Sequence, residues 1–170
     1  MSADKLIMQL GKLEGAIDSV KTLHDAGNYV RGEAVMRAPV GLSGDLRNSI
    51  QLRSGEEDGL PYVDVYTNKE YAHYVEFGTG PKGATEHYGV SPEVTVAYKT
   101  EPWWIHESQL DVGVAEMYGW FHIDTPDGRF YRCYGQYAQP FLYPALKDNE
   151  RTVLDIMKGG YEEAIRRAVR

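Results

Sequence analysis

The chain has 170 residues with 42% hydrophobic and 25% charged residues, which suits a soluble globular protein with its own core and excludes a disordered chain. Its formal net charge of −7 argues against a general role in coating DNA or RNA, because that role needs a basic face to neutralise phosphates. The single cysteine, Cys133, excludes an internal disulfide and is expected as a reduced thiol in the core or on a strand. The N-terminal stretch has no apolar signal core, and no stretch approaches the ~20 apolar residues that span a bilayer, so a cytoplasmic site of synthesis is expected.

The first predicted element is a long helix, roughly Ala3 to Arg37. Apolar residues recur at Leu6, Leu10, Leu13, Ile17 and Val20, then at Leu23, Val30, Ala34 and Val35. Asp4 and Arg37 stand at the dipole ends that suit their charges. Pro39 stops the helix, and Gly27-Asn28 is a candidate bend. In the segment Ala38–Ile50, Ser43 is placed to cap a short helical turn that puts Leu46 and Ile50 on one side.

Ile50–Ser54 and Tyr62–Thr67 read as strands joined by a polar turn, Gly55–Pro61. Val63 and Val65 face one way, and Tyr62, Asp64 and Tyr66 the other. Tyr71–Phe77 reads as a short buried helix. Residues 82–115 form an excursion with strands expected at Val94–Lys99 and Trp103–Ile105. Gly119–Asp124 and Gly128–Tyr134 flank Thr125-Pro126-Asp127-Gly128, a strong hairpin signal. One continuous helix is expected from Pro144 on, with Leu146, Val153, Met157, Tyr161, Ala164 and Ala168 as its stripe, running through Gly159-Gly160. The predicted fold is α+β: a long N-terminal helix, a central antiparallel sheet with a hairpin, and a C-terminal helix packed on the sheet, in one domain spanning residues 1–170.

Chemical constellations are weak. Gly78-Thr79-Gly80-Pro81-Lys82-Gly83 has the letters of a dinucleotide loop, but Pro81 interrupts it and no amphipathic helix follows. His73 and Glu76, three apart on a helix, could share a metal, but a useful site needs more ligands. The bland reading has Glu76 capping or pairing and His73 partly exposed. The carboxylates form no recognisable acid–base pair. No Ser–His–Asp arrangement can be argued. No catalytic residue, cofactor or metal ligand is therefore assigned. The 13 tyrosines and three tryptophans fit either a protein interface or a tyrosine-rich core.

Three blocks in order, between the flanking helices, resemble the neck, head–tail joining and tail-completion proteins of long-tailed double-stranded DNA bacteriophages. The first holds Ala38-Pro39, Ser43-Gly44, Leu46 and Ser49-Ile50. The second holds Tyr71-Ala72, Tyr74-Val75 and Glu76-Phe77-Gly78-Thr79. The third holds Pro140-Phe141-Leu142 and Pro144-Ala145-Leu146. Residues 82–115 match no part of that pattern and read as an insertion. The resemblance implies a non-enzymatic virion protein, assembled in the bacterial host cytoplasm. It implies a ring at the neck, through which DNA passes, with neighbouring connector and tail-tube proteins as partners and no membrane. Six copies, which match a tail, are expected ahead of twelve, which match a portal. The long N-terminal helix and the aromatic excursion are the expected ring surfaces. Alternatives are another phage module, minor capsid or host-directed, and an enzyme dependent on a metal or nucleotide.

Overall fold

A computed structural model of the chain describes residues 19–41, 43–86 and 88–168. The α+β class holds, with antiparallel strands throughout. The strands divide into two small sheets. The chain also divides into two compact units, one formed by residues 1–69 with 141–170 and the other by residues 70–140.

The first unit contains α1 (Ser19–Arg37), α2 (Asp45–Asn48), β1 (Ile50–Glu57), β2 (Leu60–Thr67), α6 (Tyr143–Lys147) and α7 (Glu150–Ala168). The expected helix from Ala3 is seen from Ser19; its earlier part lies outside the described residues. α1 runs unbroken through Gly27-Asn28. Its buried positions are Thr22, Ala26, Val30 and Ala34, one every four residues, whereas Val20 is exposed. The buried stripe is thus narrower and of smaller side chains than expected. The reason is close packing on two sides, against the β1–β2 hairpin and along α7. A Cβ on Gly27 would lie 2.6 Å from Val63 Cγ1, and one on Gly160 would lie 2.7 Å from Thr22 Oγ1. These glycines let α1 approach its neighbours, and neither interrupts a helix. Gly27→Val is expected to cost about 1–3 kcal/mol through overpacking, measured by urea unfolding of the full chain.

The hairpin is longer than expected. β1 and β2 pair from Ile50↔Thr67 to Glu57↔Leu60, and the turn shrinks to Asp58-Gly59. Both turn residues have positive φ, 51° and 77°, the geometry of a type I′ turn. Polar residues at Glu56 and Glu57 read as loop because this distal end is exposed on both faces. The expected facing of β2 holds: Val63 lies against α1, while Asp64 pairs with Arg53 at 2.6 Å and Tyr66 donates to Gln51 at 3.2 Å.

The expected single C-terminal helix is two. Pro144 opens α6, and the chain turns at Asp148-Asn149 before α7. Both turn residues reach α1: Asp148 pairs with Arg37 at 3.0 Å, and Asn149 accepts from the Tyr29 hydroxyl at 3.1 Å. α7 then continues through Gly159-Gly160 as expected.

The second unit contains α3 (Ala72–Phe77), α4 (Gly80–Thr85), β3 (Trp103–His106), α5 (Val112–Met117), β4 (His122–Thr125) and β5 (Gly128–Cys133). Its sheet has the order β3-β5-β4. The hairpin at Pro126-Asp127 and the strand at Trp103 stand where expected. Val94–Lys99 forms no strand; among the described residues it has no ladder partner, and Val96 to Lys99 line a cleft beside α3 instead. Tyr131, Cys133 and Ala115 are buried, with Tyr131 fully covered. The outer face of the sheet leaves Trp104, Phe121 and Ile123 exposed.

Candidate assembly interface

The first sequence block makes a corner. Ala38 closes α1 by donating to Ala34 O at 2.9 Å, and Arg47 caps its end by donating to Ala38 O at 2.6 Å. Gly44, at φ 70°, precedes α2 and carries no side-chain cap bond. Ser43 is therefore not the cap expected of it. Its hydroxyl accepts from Asp45 N only at 3.4 Å, because Gly44 intervenes. Leu46 and Ile50 are both buried, and the Ser49 hydroxyl bonds Leu46 O at 2.8 Å and Thr67 Oγ1 at 2.6 Å. Pro39 is half-buried at the bend. The third block supplies Phe141 and Ala145, both fully covered, and Pro144, also buried. Leu142 and Leu146 line an apolar groove with Leu23, Val30 and Val153.

The second block builds a different site. Only part of α3 is buried as expected: Ala72 and Glu76 are covered, while Tyr71 and Tyr74 are 43% and 51% exposed. His73 is exposed, with its ring 3.9 Å from that of Tyr74. Among the described residues no three His, Cys, Asp or Glu side chains are grouped to hold a metal.

The C-terminal end of α3 is closed by groups from elsewhere in the unit. Gln136 Nε2 donates to Tyr74 O at 2.7 Å, Gln139 N to Val75 O at 2.8 Å, and the Tyr98 hydroxyl to Phe77 O at 2.6 Å. These bonds satisfy carbonyls that a helix end would otherwise leave open. Burial pushes the Tyr98 phenol above its ordinary pKa. Thr79 and Gln136 pair as an antiparallel bridge, with N–H···O distances of 2.9 and 3.2 Å.

The glycines of Gly78–Gly83 serve this packing. A Cβ on Gly78 would lie 2.7 Å from Ala138 N, one on Gly80 2.7 Å from Trp103 Cζ3, and one on Gly83 2.7 Å from the Gly78 carbonyl carbon. A six-residue helix, α4, begins inside the motif at Gly80, but Pro81 has no N–H to offer and the amides of Thr79 and Lys82 donate to Gln136 O and Tyr134 O, so they are not free to hold a phosphate. The glycines are needed because backbone meets backbone.

Beside α3 lies an apolar cleft of about 590 Å³. Tyr71, Tyr74, Phe77, Tyr98 and Trp103 supply its rings, and Val96 and Lys99 complete one wall. Lys99 Nζ lies 5.3 Å from the Trp103 ring centre, and Lys82 Nζ lies 5.7 Å from that of Tyr137. Residues 70–140 hold ten Asp and Glu but only four Lys and Arg. One of those four cations, Lys99, lines this cleft, and Lys82 follows Gly80 of the lining by two residues. Among the described residues neither lysine makes an ion pair. Sequence reasoning missed Val96, Lys99, Trp103 and Gln136 as parts of one site, since they lie far apart in the chain. The aromatic excess was the available signal, and it serves both uses: Tyr131 is core, whereas Tyr71 and Tyr74 line an open surface.

The geometry is that of a binding surface built from aromatics, of the kind used between proteins. Residues 4–78 match the model of the HK97-gp10-like family, described as "Bacteriophage HK97-gp10, putative tail-component". The matched stretch contains the first two sequence blocks up to Gly78 and is similar to this phage tail-component family. No curated protein and no solved structure matches the chain. No helix among the described residues is long and apolar enough to cross a membrane.

Proposed function

We propose that this chain is a structural subunit of the phage neck, forming a ring that joins the DNA-filled head to the tail and lets the genome pass. The observation that carries the reading is the family match over residues 4–78, to which the third block adds its Pro-Phe-Leu and Pro-Ala-Leu steps at Pro140–Leu146. A protein of this kind works through complementary surfaces, and catalysis has no part in it. A closed ring needs two different patches on each copy, because its interfaces are heterologous. Six copies fit the symmetry of a tail, and twelve would fit a portal. The apolar cleft beside α3 supplies one patch of the required kind. The family-atypical stretch 82–115 contributes Val96, Tyr98, Lys99 and Trp103 to it, which fits a role in partner choice. Neighbouring connector and tail-tube proteins are the other partners, and DNA is cargo in transit.

A phage lacking this gene is expected to accumulate DNA-filled heads and separate, complete tails. Electron microscopy of the lysate would show them, and a plasmid copy should restore joining. Normal virions from the deletion would refute the proposal.

A further inference from the structure

The β1–β2 hairpin ends in a shape that answers the cleft. Leu60, at its tip, is 71% exposed. Glu57 and Leu60 are directly paired across the ribbon, so their side chains share one face. Glu56 and Asp58 add two further exposed carboxylates. Among the described residues none of the three acids has an ion-pair partner. The tip is thus one apolar anchor beside unpaired carboxylates. The cleft is the converse: aromatic walls with the ammonium group of Lys99, which among the described residues makes no ion pair, and with Lys82 two residues beyond Gly80 of the lining. Its volume of about 590 Å³ is in the range that encloses several side chains, enough for a turn. The type I′ turn fixes the tip in advance, so little conformational freedom is lost on docking.

We propose that the cleft beside α3 receives the hairpin tip of a neighbouring copy, with Leu60 seated among the aromatic rings and Glu57 facing Lys99. The contact is heterologous, tip to cleft, and each copy carries one of each. It therefore propagates around a ring, and it rests on the ring reading above. Lys82 and Asp58 stand at its rim, where charge steers association and fixes register.

The test uses the full chain with Cys133→Ser as background. One preparation carries Leu60→Cys and the other Tyr74→Cys. Mixed and oxidised, they should give a disulfide-linked pair that neither gives alone. A chain carrying both substitutions should give a ladder ending in one closed species. In sedimentation velocity, Leu60→Asp and Lys99→Glu should each weaken self-association by about tenfold or more. Combining Glu57→Lys with Lys99→Glu should recover most of that loss. Leu60 and Lys99 are exposed, so both variants should melt like the parent. Self-association that no tip or cleft variant alters would overturn this contact and leave the ring reading standing. Weakening by cleft variants alone would assign the cleft to another protein's segment and overturn it as well. A wild-type chain that does not self-associate in solution and is present as one copy per particle would remove the ring, and this contact with it.

Discussion

Replacing Phe141 by alanine is expected to lower the unfolding free energy by about 3–5 kcal/mol, the usual cost of emptying a fully covered aromatic position. Phe141 and Tyr131 are the two largest side chains with essentially no exposed surface. Phe141 stands where the chain re-enters the first unit, one residue after Pro140 and three before Pro144. The two prolines restrict the backbone on both sides, so neighbouring groups have little freedom to close the void. At about 2–4 °C per kcal/mol for a chain of this length, the melting temperature should fall by roughly 10 °C. Differential scanning calorimetry would measure it. A loss below about 1 kcal/mol would mean that the side chain is not packed as described. Phe141→Leu, which retains most of the volume, should recover a large part of the loss.

Gly135→Ala is a smaller change on paper, and a comparable effect is expected. Gly135 has φ 77°, and an added Cβ would overlap the Thr79 carbonyl. The left-handed backbone costs a non-glycine residue about 1–2 kcal/mol. Overlap with backbone adds about 1–3 kcal/mol, because a carbonyl cannot swing aside as a side chain can. The Thr79–Gln136 bridge is the bond set most exposed to this change. Hydrogen exchange should therefore speed up at the amides of Thr79, Lys82, Gln136 and Gln139, which all donate across this junction. Gly59→Ala separates the two causes. Gly59 also has φ 77°, but nothing lies within 4 Å of its added Cβ. It should show only the backbone cost, and no change in exchange around Thr79.

Much of the architecture was legible because its signals are local. The helix stop at Pro39, the Pro-Asp-Gly hairpin before β5 and the phase of α7 through its glycines all depend on neighbours within a few residues. The β1–β2 turn carried an equally clear signal, Asp58-Gly59. It was obscured by the acids around it, which face water on both sides of the ribbon and so show no alternation. The start of α7 was misread because the break at Asp148-Asn149 is imposed by bonds to Arg37 and Tyr29, more than a hundred residues away. The cleft was the least legible part. Its second wall comes from Val96–Lys99, a stretch tied to α3 by the Tyr98 phenol donating to Phe77 O, and whose sequence alone suggested a strand. The glycines of Gly78–Gly83, set aside as a phosphate loop because Pro81 interrupts them, are accounted for by the close approach of the chain itself.

The order in which the units are written along the chain has a consequence for how the protein is made. Residues 70–140 lie between the two pieces of the first unit. A ribosome adding about 5–20 residues per second needs several seconds to pass through them. During that interval α1 and the β1–β2 hairpin have been synthesised, but α6 and α7, which cover one side of α1, have not. The half-finished unit then leaves Val30 open to solvent, without Leu142, Leu146 and Val153, which line the same apolar groove. The nascent chain is therefore most vulnerable to aggregation midway through translation, and its capture by a holdase chaperone should peak there and end once α7 has emerged.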